Sequence, residues 1–295
     1  MTTSAGVSGG AAGLYGGGGG GGGGGSTGGS SGAGAQGVLI LTYSVIGPDY
    51  DPDALAYFAA MTVQPDTARK ILINDLIVGL KADGLWGKID WLLLLASHDA
   101  QAARINVRVP TKIATAINAP TFTTDRGYQG NGVNAYLDAG EALNAPGNVY
   151  AQNSAHLLTY INAGPGGTPY DIGAIGNTNI RMQAEVSGST ENARINTGNS
   201  DSYTSTGPIG MRILSRTGAA AGDLYRDGVA KFGNTIGPSS ATMTGNLNLL
   251  RGQAGAIQYS SSRLAVAGSG GGLTSIQAAN FRSRLMTYLT AIGAN

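Results

Sequence analysis

The sequence predicts a mainly β protein in which a β-sandwich follows a small helical unit and a glycine-rich arm, and three observations carry this. From about Ile105 onward, short apolar runs alternate with clusters of Gly, Asn, Pro and Ser, the pattern of a sandwich or barrel built from many short strands. Residues 49–105 instead space their apolar side chains with a helical period. Residues 1–37 hold 19 of the 50 glycines, and no charged residue precedes Asp49.

The arm has almost no side chains to bury and a high conformational entropy when free. Its composition fits a flexible linker, or an assembly element in which neighbouring chains satisfy the bare amides. The run Val38–Val45, bounded by Gly37 and Gly47–Pro48, reads as a strand that needs a partner. Asp51 or Asp53 is placed to cap a helix running to Met61, with Pro52 in its first turn. A second helix starts at Pro65–Asp66, presents Ala68, Ile71, Leu72, Leu76 and Leu80, and stops at Gly84. A third helix is expected from Leu85 to about Leu95, carrying Trp86, Ile89 and Leu93, and Asp99–Arg104 reads as a last short turn.

Strands are expected at Ala135–Asp138, His156–Ile161, Asp171–Ile175, Ile180–Val186, Ile209–Arg216, Asp223–Arg226, Val229–Phe232, Leu247–Arg251 and Arg263–Ala267. Asp227–Gly228 is the strongest hairpin signal, suited to a type I′ turn. Thr274 and Gln277 fit a capping box for a final helix with Ile276, Ala279, Leu285, Leu289 and Ile292 as its apolar stripe. The domain division expected is 1–48 for the arm and first strand, 49–105 for a helical collar or linker, and 106–295 for the sandwich and its final helix.

Composition narrows the function. Net charge is +1 with no basic block, so a nucleic-acid partner is not expected. The absence of cysteine removes disulfides, thiolate metal sites and cysteine nucleophiles. The apolar stretch Ile71–Ala96 is broken by Asp75, Lys81, Asp83, Lys88 and Asp90, so no membrane insertion is expected. No basic n-region followed by an apolar stretch opens the chain, and no ordinary signal peptide is expected.

Several stretches resemble a known group. The segment FTTDRGYQGNGVNAYLDAG (122–140), the hairpin LYRDGVAKFG (224–233), then LNLLRG (247–252) and RLAVAG (263–268) before a final helix resemble, in order, concanavalin A-like/laminin-G-like jelly-roll domains of phage-encoded proteins. The helical stretch looks like the leader of such domains, and the glycine tract ending in GAGAQGVLILTYS resembles segments of phage tail and tail-fibre proteins. The resemblance implies a virion structural protein in the tail, tail fibre or a fibre-like component. In that role a lectin-like sandwich would attach to host or surface glycans, and the arm would contact other virion proteins. A homo-oligomer is expected, the trimer being borrowed from fibres in general. The alternatives are a head fibre or capsid decoration protein, and a secreted carbohydrate-binding module or glycoside hydrolase.

The candidate chemistry is thin. Glycosidases on this fold set acidic residues at alternate positions of one strand, and no E-x-D-x-E run occurs; Glu185 and Glu191 flank a turn and are read as surface carboxylates rather than an active pair. His98 and His156 share no metal-like spacing. The G-x-S-x-G match at Gly28–Gly32 lies in low-complexity sequence and carries no meaning. Asp49, Asp51 and Asp53 depart from the calcium-loop spacing and read as a helix cap. No enzymatic activity, no catalytic residue and no cofactor is expected. The residues placed to serve a calcium ion at a loop rim, as laminin-G-like domains sometimes do, are Asp138, Asp171 and Asp201. The tyrosines beside turn residues, Tyr170, Tyr203 and Tyr259, are the candidates for ligand contact.

Overall fold

The computed structural model describes residues 4–11, 18–37, 49–164, 170–174, 180–186, 190–205, 207–240, 245–254 and 256–295. The expected strand Val38–Val45 lies outside them. The chain divides into two compact units, Met1–Asp49 and Tyr50–Asn295.

In the first unit, three extended segments satisfy one another's amides at intervals of three residues. Gly6 and Gly9 donate to Thr27 and Ser30, Gly23 and Gly20 to Val7 and Gly10, and Gly29 and Gly32 to Gly23 and Gly20. A three-residue repeat is the period of the polyproline II helix, which has no hydrogen bonds of its own. Here the neighbours supply them. A Cβ added at Gly6, Gly9, Gly19, Gly22, Gly29 or Gly32 would collide with a backbone oxygen of an adjacent segment. Glycine therefore recurs every third residue because only glycine fits between the segments.

The second unit starts with α1 (Pro52–Ala59), capped by Asp51, whose side chain accepts the Asp53 amide. Helix α2 (Thr67–Ala82) is capped in the same way by Asp66. The expected third helix is absent. After a single 3-10 turn at Trp86–Lys88, the chain enters strand β1 (Ile89–Leu93), buried along its whole length. A continuous apolar run of this length suits a strand covered on both faces as well as it suits a helix. Tertiary burial decides it.

The next strands are β2 (Thr115–Ile117), β3 (Thr121–Thr123), β4 (Gly127–Gln129), β5 (Tyr136–Ala142), β6 (Ala155–Ala163), β7 (Tyr170–Ala174), β8 (Ile180–Val186) and β9 (Thr190–Ile195). They continue with β10 (Asp201–Thr204), β11 (Gly210–Arg216), β12 (Gly222–Arg226), β13 (Val229–Ala230) and β14 (Asn246–Leu249). The last are β15 (Arg251–Ala254), β16 (Ala256–Tyr259) and β17 (Arg263–Gly270), followed by helix α3 (Ser275–Ala291). One antiparallel sheet runs β13-β12-β11-β6-β17-β4-β3, with β1 also paired to β17. The other runs β10-β9-β8-β7-β14-β5-β2, and β15–β16 form a separate hairpin.

These elements stack in three layers. Leu157, Ile161, Leu214 and Leu264 of the first sheet meet Leu137, Ile172, Met182, Ile195 and Leu249 of the second. On the opposite face of the first sheet, Leu158, Tyr160, Ile213 and Val266 pack against Tyr57, Ile77, Leu80, Phe281, Leu285 and Leu289 of the helices. Strand β6 is thus apolar on both faces, and each side chain fully buried there contributes roughly 1.5–3 kcal/mol. The helical segment 50–105 is part of this unit, with α1 and α2 forming the outer layer together with α3. The expected helical stripes hold in part, with Leu76, Leu80, Leu285 and Leu289 buried. Ile71 and Ile276 are exposed, while Ile73, Ile77, Ala278 and Phe281 face the sheet. No helix among the described residues is long and apolar enough to cross a membrane.

Candidate functional site: the outer face of the seven-stranded sheet

Residues directly opposite one another in antiparallel strands point to the same face. Leu137, Ile172, Met182, Ala193 and Leu249 point to the core, so their neighbours in sequence point outward. Register then aligns Asp138, Asn248, Gly173, Arg181 and Arg194 in one row across five strands. Gln183 and Asn192 form a pair beside it. The face is polar; Asn248, Arg181 and Gln183 are buried on it, and Asp138, Asn192 and Arg194 are half-buried.

The β15–β16 hairpin folds back over this face. A Cβ at Gly173 would come within 3.1 Å of the Gly252 Cα, and one at Gly252 within 2.6 Å of the Tyr170 Cβ. Two glycines thus let the hairpin lie directly on the sheet. Two stacks lie at this contact. The Arg181 guanidinium lies 5.3 Å from the Tyr170 ring centre and donates to the Gln253 carbonyl at 3.3 Å. The Arg251 guanidinium lies 4.2 Å from the Tyr136 ring and 5.6 Å from the Tyr259 ring, and donates to Asn248 Oδ1 at 3.1 Å. Arg194 Nε donates to Ser200 Oγ at 2.7 Å, and Asn246 Nδ2 to Asp138 Oδ1 at 3.2 Å. Burial, followed by the Arg194 charge against the attraction of Tyr170, holds the Arg181 pKa below its ordinary value.

Of the candidate tyrosines, Tyr170 and Tyr259 thus come together at the hairpin, Tyr170 buried and Tyr259 half-buried. Tyr203 does not join them. It sits on the edge strand β10, where its hydroxyl donates to Glu191 and its ring meets Phe232 edge-on at 6.1 Å. Burial first, and then the Glu191 carboxylate, push its pKa far up, so the phenol stays a donor. Tyr136, Arg181 and Arg251 are the residues that sequence reasoning missed. The alternation of Arg181 and Gln183 with inward Met182 and Ala184 is the signal that was available.

Glu191 is not a surface carboxylate. It is 1% exposed and accepts from Arg212 Nε at 2.7 Å and Nη2 at 2.6 Å, from Arg226 Nε at 3.4 Å, from Ser205 Oγ at 2.9 Å, and from Tyr203. Its two carboxylate oxygens thus take five hydrogen bonds from within the protein. The Glu185 side chain lies outside the described residues. Asp138, Asp171 and Asp201 are not brought together. Asp171 is fully buried and accepts from Ser260 Oγ and the Ala184 amide, Asp201 accepts the Gly237 amide, and Asp138 lies on the outer face. Among the described residues, no three side chains of His, Asp or Glu are placed to share a metal ion.

In sequence, no family model and no curated protein matches this chain. Solved structures do resemble it. Trypanosoma rangeli sialidase in complex with a difluoro-KDN compound is 12% identical, covering 74% of this chain and 40% of that one, with a TM-score of 0.49. The same sialidase in complex with sialic acid is 15% identical over 73% and 39%, with a TM-score of 0.47. The botulinum neurotoxin serotype D binding domain is 8% identical over 67% and 52%, with a TM-score of 0.46. The chain therefore spans about two fifths of the sialidase and about half of the toxin domain. The likeness is one of fold: a mainly β chain with sandwich-like antiparallel sheets. The expectation that the chain is not an enzyme is corrected here, because sialidases are enzymes and share this architecture in part. The expectation leaned on a missing carboxylate pair, and glycoside hydrolysis does not always use one.

Proposed function

We propose that this chain is a glycan-binding component of a phage particle, which grips its ligand on the outer face of the seven-stranded sheet. The observation that supports the glycan reading is the half-buried Arg251–Tyr136–Tyr259 stack on the same face as the half-buried Asp138, Asn192 and Arg194. Vicinal hydroxyls of a sugar match guanidinium and amide groups, and its C–H face matches a tyrosine ring. A rigid sheet holds these groups in place before the ligand arrives, which limits the entropy lost on binding. The particle reading, in a tail or tail fibre, is supported by the glycine-rich arm and by the resemblance of segments 122–140 and 224–268 to phage-encoded domains. Many copies on one particle would convert weak single-site binding into avidity.

The test is binding of the full chain to a panel of bacterial surface polysaccharides by surface plasmon resonance, with R251Q and Y259A as variants. Losing a charged hydrogen bond and a cation–π stack predicts about a 10–100-fold weaker response for R251Q. Equal binding by wild type and both variants would overturn the assignment of this face. Absence of the chain from purified particles by mass spectrometry would overturn the particle reading.

A further inference from the structure

A cavity of about 200 Å³ opens between β1, the loop 105–113 and the loop 143–149. Arg108, Lys112, Asp90, Asn148 and the backbone of Gly147 contribute to its wall. Arg108 is held in place. Its guanidinium lies 5.2 Å from the Trp86 ring centre and its Nε donates to the Trp86 carbonyl at 3.2 Å. Its terminal nitrogens meet no carboxylate among the described residues.

The other charges are already spoken for. Lys112 donates to Glu141 at 2.6 Å. The Asp90 carboxylate accepts the Val149 and Tyr150 amides at 2.7 and 2.9 Å. The cavity therefore offers one unneutralised cation, and that cation is a guanidinium whose fork fits a carboxylate bidentately. The Asp90 carboxylate in the same wall, which meets two amides and no cation among the described residues, opposes any anion and a dianion about twice as strongly as a monoanion. The cavity volume is below the roughly 300–1,000 Å³ of pockets for drug-sized ligands, and the Gly147 backbone in its wall offers a further polar contact for a hydroxyl.

We propose that this cavity binds a small hydroxylated monocarboxylate, the chemistry of a single acidic sugar residue, independently of the outer sheet face. The chain's two tryptophans report on it, since Trp86 stacks on Arg108 and Trp91 Nε1 donates to Glu141 at 2.8 Å, behind Lys112. Intrinsic fluorescence of the full chain should shift saturably with glucuronate and not with glucose. R108Q should weaken glucuronate at least about tenfold, and R108K, which keeps the charge without the fork, should fall between. Y259A should leave the titration unchanged, which separates this site from the sheet face. A flat titration with glucuronate, equal response to glucose, tighter binding of inorganic phosphate than of glucuronate, or unchanged binding in R108Q would each overturn the proposal.

Discussion

Replacing Glu191 by Gln tests the ion pair that ties the two sheets together. Glu191 lies on β9 of one sheet and Arg212 on β11 of the other, both 1% exposed. An amide keeps the shape of the carboxylate and removes its charge. Arg212 then stays buried without its ion-pair partner, and Arg226, Tyr203 and Ser205 keep only part of their acceptor. Breaking a buried pair on one side costs about 3–5 kcal/mol. For a unit of this size, that lowers the melting temperature by about 6–20 °C. The assay is chemical denaturation followed by circular dichroism, with E191M/R212M measured beside E191Q. The double variant removes both charges and should recover most of the loss, because a buried pair is often no better than apolar side chains of similar volume. A loss below about 1 kcal/mol in E191Q would refute the reasoning, since that is the scale of an exposed pair.

Other predictions test separate parts of the molecule. Burial, aided by the Lys88 charge and opposed by the Gly271 carbonyl, holds the His156 pKa at about 4, against 6.5 for the free side chain. The folded state keeps it neutral, so its contribution is intact above pH 6.5 and is lost as pH falls toward 4, about 3 kcal/mol in all; H156N should remove that part of the acid slope in denaturation measured from pH 7 to 4. G252A should lift the hairpin off Tyr170, at a cost of about 1–3 kcal/mol, and should weaken polysaccharide binding in the same plasmon assay. In the arm, G22A and G29A should speed amide exchange because their new Cβ atoms strike backbone oxygens, whereas G21A, with nothing within 4 Å, should not; equal exchange in all three would argue against the bundle.

Local signals were the most legible in the sequence. Asp227 and Gly228, both with positive φ, form the tight turn between β12 and β13. Thr274 and Gln277 form the capping box of α3. Each rests on chemistry confined to a few residues. Features set by distant partners were not legible. Ile89–Leu93 becomes a strand because β17 accepts it on one edge and both its faces are covered. The stripe of α3 is set by the sheet beneath it, so Phe281 is buried while Ile276 is left in solvent. In the candidate site, Tyr170 and Tyr259 were accessible to reasoning as turn-side aromatics. The Arg251–Tyr136 contact was not, because only the fold-back of the β15–β16 hairpin onto the sheet brings them together.

The three-residue repeat of the arm also bears on how its length can change. In the flanking segments, Val7, Ser8, Thr27, Ser30 and Ser31 occupy the two positions of each triplet that face away from the tight contacts. An insertion of one or two residues there would carry a side chain into a position that admits only glycine. The central run Gly16–Gly25 is uniform. A gain or loss of one glycine within it still leaves glycine at every inward position. The middle segment can therefore slip or change length one residue at a time, while its two neighbours are locked to steps of three.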